Sequence, residues 1–110
     1  ISTMGGTLCA SLINFTKSCA EIGTRDGVRA NCVVPGWMES NRLKVRLEQV
    51  AKQEGITYDE AKRRMQEEQG VMRFGRTDEL GAFVGFLASD RASIMHGQAY
   101  LLDGGFVKGF

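Results

Sequence analysis

The chain has 110 residues, 43% apolar and 25% charged, with 14 basic against 13 acidic side chains for a net charge of +1. That balance is the one of an ordinary globular domain and argues against a disordered chain, and no run approaches the ~18 consecutive apolar residues of a membrane helix. Charges of both signs are interleaved, which speaks against a nucleic-acid partner; the one basic cluster, Lys62-Arg63-Arg64, is followed by Glu67-Glu68 and reads as a solvated helix face.

In chain order, Leu8, Leu12, Phe15, Cys19 and Ile22 recur at steps of four and three, which predicts a helix from about Thr7 to Ile22 with one apolar stripe. Ala10, Ile13 and Ala20 on its second face imply more than one neighbour. Gly23-Thr24-Arg25-Asp26-Gly27 breaks that period. Val28 to Val34, rich in β-branched residues, then predicts a strand buried on both faces as in a parallel sheet, ended by Pro35-Gly36.

A helix is expected from Arg42 to Gln53, stopped by Gly55, and another from Thr57, where Thr57-Tyr58-Asp59-Glu60 matches a capping box. Both are charge-rich and thinly apolar, so they read as a mobile lid or surface excursion rather than core. Thr77-Asp78-Glu79 supplies a cap and first-turn acids for a helix in which Leu80, Phe83, Val84 and Leu87 share a face, and Gly81 and Gly85 imply a close approach by another backbone. Gly97 precedes a short strand, Gln98 to Leu102, and Asp103-Gly104-Gly105 turns the chain again. Cys9, Cys19 and Cys32 lack metal-type spacing and are expected as buried, reduced thiols. With no signal-peptide pattern at the start, a cytoplasmic location is expected.

Two parallel-type strands joined by a helical crossover place the chain in the α/β class. They have no second helical layer within this sequence, so another segment or chain is expected to complete the sheet. Residues 1–110 read as a single partial domain, with residues 41–72 as its lid helices.

Several stretches resemble the short-chain dehydrogenase/reductase family: Leu12-Ile13-Asn14-Phe15-Thr16-Lys17, Gly27 through Val34 with Pro35-Gly36-Trp37, Arg73-Phe74-Gly75-Arg76, and Phe86-Leu87-Ala88-Ser89-Asp90 followed by Gly97-Gln98 and Asp103-Gly104-Gly105. The resemblance implies the C-terminal portion of a Rossmann-like parallel sheet, in an oxidoreductase that moves a hydride between NAD or NADP and an alcohol or ketone. It further implies that Pro35 and Gly36 shape the floor beneath the nicotinamide, that the Met38 backbone meets the carboxamide, and that the Ser40 hydroxyl reaches the amide or a phosphate. Trp37 and Glu39 open the stretch resembling the substrate loop, and Trp37 either anchors that loop or lines an apolar pocket.

The glycine-rich pyrophosphate turn has no counterpart, because Gly104-Gly105 has no helix after it. Counting back from Pro35 and Asn14, the family's catalytic tyrosine and lysine fall on Gly5 and Cys9, neither of which replaces a phenol or an ammonium. No catalytic residue is therefore assigned. Lys17 is too far along the helix to substitute, Tyr58 and Tyr100 lie elsewhere, and His96 reads as an exposed or hydrogen-bonded residue rather than a base. Two functions compete: a nicotinamide-dependent enzyme completed by further sequence, and an inactive relative serving as an oligomerisation or binding module. In the second, the chain pairs with a copy of itself or with a chain that completes the sheet. NAD against NADP is decided in the missing half, and the substrate in residues 37–72.

Overall fold

The computed structural model describes residues 3–108, with side chains from residue 7 onward. Its elements run α1 (Thr3–Asp26), β1 (Cys32–Pro35), β2 (Met38–Glu39), α2 (Asn41–Glu54), α3 (Tyr58–Gln69), β3 (Gly75–Arg76), α4 (Thr77–Ala88), a 3-10 turn (Asp90–Ala92) and β4 (Ala99–Leu102). The α/β class and its parallel strand pairs agree with expectation. The chain divides into two compact units, one formed by the chain up to Val34 with Phe83–Leu101, the other by Pro35–Ala82 with the chain from Leu102 on. Among the described residues no helix is long and apolar enough to cross a membrane.

In the first unit α1 extends about a turn beyond expectation at each end. Gly5 and Gly6 fall within it, although each glycine costs a helix about 1 kcal/mol. At the other end the glycines do not break the helix at Ile22; they let the chain fold against its own last turns. A Cβ on Gly23 would lie 2.2 Å from the Val28 carbonyl oxygen, Val28 N–H donates to Gly23 O at 2.9 Å, and Gly27 takes a left-handed φ of 69°. The stripe of Leu8, Leu12, Phe15 and Ile22 remains exposed in this chain. The thiols are not buried as expected: Cys9 is exposed, and Cys19 and Cys32 are half-buried.

The first strand is shorter than expected because the groups ahead of it bond elsewhere: Ala30 N–H goes to His96 Nδ1 and Ala30 O accepts from Gly97 N–H. β1 pairs with β4. Cys32 N–H donates to Gln98 O at 2.8 Å and Gly36 N–H to Leu102 O at 3.0 Å, so both strands advance together and run parallel. With two strands in this sheet, the β1 side chains are half-buried or exposed rather than covered on both faces. Tyr100 meets Phe83 edge-on at 5.7 Å, and Leu87 is buried. The close approach expected at Gly81 and Gly85 is not found, since an added Cβ at either meets nothing within 4 Å.

The second unit corrects the reading of the charged helices as a surface excursion without a core. Leu43 and Leu47 of α2 and Ala61 and Met65 of α3 form a buried cluster with Phe74, against which Trp37, Val50 and Ile56 pack. Helix punctuation follows the sequence closely: Gly55 and Gly70 close α2 and α3 at φ 66° and 62°, and the Thr57 hydroxyl accepts from Glu60 N–H at 3.2 Å. The return half of that capping box is not made by Glu60, whose carboxylate instead pairs with Arg63 and Arg64. It is made one helix later, where Glu79 of α4 accepts from Arg76 N–H at 2.8 Å. Two-residue strands β2 and β3 pair in parallel, Met38 opposite Gly75 and Glu39 opposite Arg76.

Candidate functional site

The turn between β1 and α2 carries every residue expected to face a cofactor or substrate, and all of it lies in the second unit. Pro35 ends β1. Gly36 is required by contact rather than by torsion: a Cβ there would sit 2.7 Å from Asp103 Cα and 3.0 Å from Asp103 O. Asp103 is itself held in place, its carboxylate accepting from Val107 and Gly105 N–H at 2.9 Å each. Those amides, Val107 first, keep its carboxyl below the usual aspartate range.

Trp37 is held by neighbours in its own unit. Its indole N–H donates to Gln69 Oε1 at 3.3 Å, its ring lies 6.5 Å from that of Phe74, and the Arg46 guanidinium stands 5.3 Å from its centroid. The Met38 carbonyl accepts from Ser40 N–H at 2.8 Å, while its side chain lines a cavity of about 220 Å³ with Met72, Leu102 and Gly104. Glu39 is paired with Lys62 at 2.5 Å. Ser40 is the N-cap of α2, its Oγ accepting from Leu43 N–H at 3.4 Å. The hydroxyl proton remains available to donate.

Beyond that cap a second cavity, about 500 Å³, has Ser40, Asn41, Lys44, Tyr58 and Lys62 in its walls above Leu47 and Phe74. Lys44, Tyr58 and Lys62 do not stand out as site residues in the sequence, because nothing in one dimension brings α2 and α3 to the same opening. The serine's capping role is legible there, since a serine directly ahead of a helical period is a standard start signal.

Gly5 and Cys9 both fall on α1, four residues and thus one turn apart, with Cys9 exposed. His96 is hydrogen-bonded on both ring nitrogens, in keeping with the structural reading. The turn at residues 35–40 offers backbone groups and a hydroxyl suited to the nicotinamide end of a dinucleotide. Among the described residues no glycine-rich turn leads into a helix to take the pyrophosphate, so the fit extends to that end alone.

Comparison with known proteins accounts for this division. The family model described as enoyl-(acyl carrier protein) reductase matches residues 3–107. A D-beta-hydroxybutyrate dehydrogenase of Cupriavidus necator is 37% identical over 97 residues, covering 87% of this chain and 38% of that protein. The NADPH-dependent reductase BacG of Bacillus subtilis is 31% identical over 90% of this chain and 38% of its own length. Among solved structures, L-sorbose reductase from Gluconobacter frateurii, complexed with NADPH and L-sorbose, superposes with a TM-score of 0.84 at 30% identity, covering 92% of this chain and 39% of that one. The chain thus spans about 38% of the length of these curated relatives. With the motif stretches in order, the parallel strands in place and the family model matched across nearly all of its length, the chain belongs to the short-chain dehydrogenase/reductase family.

Proposed function

We propose that this chain forms the C-terminal part of an NAD(P)-dependent oxidoreductase that exchanges a hydride with an alcohol or ketone. In this reading it supplies the floor of the nicotinamide site and the helices beside the substrate. The observation that carries it is the turn at residues 35–40, fixed at one end by Gly36 against Asp103 and at the other by Ser40 capping α2. Pro35 and Gly36 would lie under the ring, the Met38 backbone would meet the carboxamide and the Ser40 hydroxyl would donate to the amide or a phosphate. Bound there, the nicotinamide gives or takes the hydride. Trp37 and Glu39 act from the substrate side, Trp37 by holding the loop to Phe74 and Gln69, Glu39 by setting the position of Lys62. With Gly5 and Cys9 at the tyrosine and lysine positions, proton transfer to the substrate oxygen falls to no residue of this chain, and the isolated polypeptide is inactive.

A second reading, an inactive relative that works as an oligomerisation module, is favoured by one observation: the apolar stripe of α1 from Leu8 to Ile22, about four helical turns, is exposed. Titration of the chain with NADH and NADPH, following nicotinamide fluorescence, with its mass measured by light scattering on the same sample, separates the two. Saturable binding by a defined oligomer is the result expected of the enzyme reading. A folded chain that binds no cofactor at millimolar concentration overturns the idea that this polypeptide forms a nicotinamide site by itself and leaves it a fragment or an assembly module.

A further inference from the structure

His96 is the one histidine of the chain and lies half-buried in the turn ahead of β4. Its Nδ1 is 3.1 Å from Ala30 N, and its Nε2 is 2.9 Å from Ala20 O and 3.1 Å from Thr24 Oγ1. A backbone N–H can only donate, so Nδ1 is the bare acceptor; a carbonyl can only accept, so Nε2 carries the proton. The surroundings therefore select a single neutral tautomer. The ring ties together the last turns of α1, the approach to β1 and the turn before β4. Next to it Gly97 N–H donates to Ala30 O at 2.8 Å, and a Cβ on Gly97 would lie 3.2 Å from that of Ala20, so the turn is pressed onto α1 where the ring bridges it.

A second proton on the ring has nowhere to go but Nδ1. It removes the acceptor of Ala30 N–H and sets two donors against each other. The charged groups on the surrounding segments are Glu21, Arg25 and Asp26 of α1, Arg29 before β1, and Asp90 and Arg91 of the 3-10 turn. The hydrogen bonds of the ring go to none of them. Arg29, beside Ala30 in sequence, is committed to the carbonyls of Ser89, Ala92 and Met95, so residues 28–31 bring a cation and no carboxylate.

We propose that His96 is an acid-sensitive latch: neutral, it staples the C-terminal turns of α1 to the entry of the β1–β4 pair, and its protonation releases them. As the only histidine it gives unambiguous ring ¹⁵N signals in the full chain. The expected result at neutral pH is the tautomer protonated on Nε2. On acidification the exchange protection factor of the Ala30 amide should fall about tenfold, the weight of one hydrogen bond. That fall should track the ring's own titration. His96→Gln keeps an acceptor and a donor without titrating, and its Ala30 protection should stay flat. A ring protonated on Nδ1, an averaged mixture of tautomers at neutral pH, or the same acid loss in His96→Gln overturns the latch. Should that variant lack protection at every pH, the wild-type tautomer and its coupling to Ala30 exchange still decide the matter.

Discussion

Helices α2 and α3 are charge-rich and yet bury Leu43, Leu47, Ala61 and Met65 around Phe74, whereas α1, with its continuous apolar stripe, leaves Leu8, Leu12, Phe15 and Ile22 more than half exposed. Burial here follows from having a facing partner in the same chain, not from how apolar a helix is. Residues 55–57 join α2 and α3 in a tight turn, so two apolar positions per helix, four apart, suffice to close a core. The first comparison to break is therefore energetic. Phe74, 1% exposed, should cost about 3–5 kcal/mol when cut to alanine. Phe15, 64% exposed, should cost no more than about 0.5 kcal/mol for the same change. Urea unfolding followed by circular dichroism measures both, and equal costs would mean that α1 finds a partner in the isolated chain after all.

Periodicity makes the helices legible, and cap residues such as Gly55 and Thr57 fix the end of α2 and the start of α3 within a residue or two. What is not legible depends on partners. Residues 28–31 have strand composition but spend their backbone groups on Gly23, His96 and Gly97, so the ladder begins only at Cys32. β2 and β3 are two residues each, too short to hold a period of two, and exist because Met38 and Gly75 meet. The core around Phe74 escapes a reading of the sequence because its members are spread thinly among lysines, arginines and glutamates. Within the site, residues 35–40 are found by motif, while the cavity wall of Lys44, Tyr58 and Lys62 follows from how α2 and α3 pack.

A second contrast sets two glycines against each other. At Gly36 an added methyl meets the Asp103 backbone at 2.7 Å, and backbone yields poorly; at Gly81, inside α4, it meets nothing. Gly36→Ala should destabilise the second unit by about 1–3 kcal/mol. Gly81→Ala should stabilise the chain by about 0.5–1 kcal/mol through helix propensity alone. Unfolding midpoints of the two variants test this directly. A neutral Gly36→Ala would show that Asp103 and its turn shift at little cost, and would remove the steric requirement for glycine at that position.

The smallest expected effect asks whether surface charge adds to the unit that already owns a core. Glu79 receives two N–H groups of Arg73, at 2.8 Å and 2.5 Å, and the Arg76 backbone N–H at 2.8 Å. These bonds, Arg73 first and the Arg76 amide second, hold its carboxyl down from the ordinary 4.5 to about 2. A carboxyl depressed on folding contributes stability that is complete above its unfolded value and is lost as pH falls towards its folded one. The start of α4 should therefore loosen between about pH 4.5 and 2. Because the pair is open to solvent, the contribution is small and shrinks in high salt. Carbon-detected NMR titration of Glu79 in Arg73→Gln should show its midpoint moving up from about 2 towards 4.5. A midpoint that stays put would assign the depression to the Arg76 amide, making it a property of the helix start rather than of the ion pair.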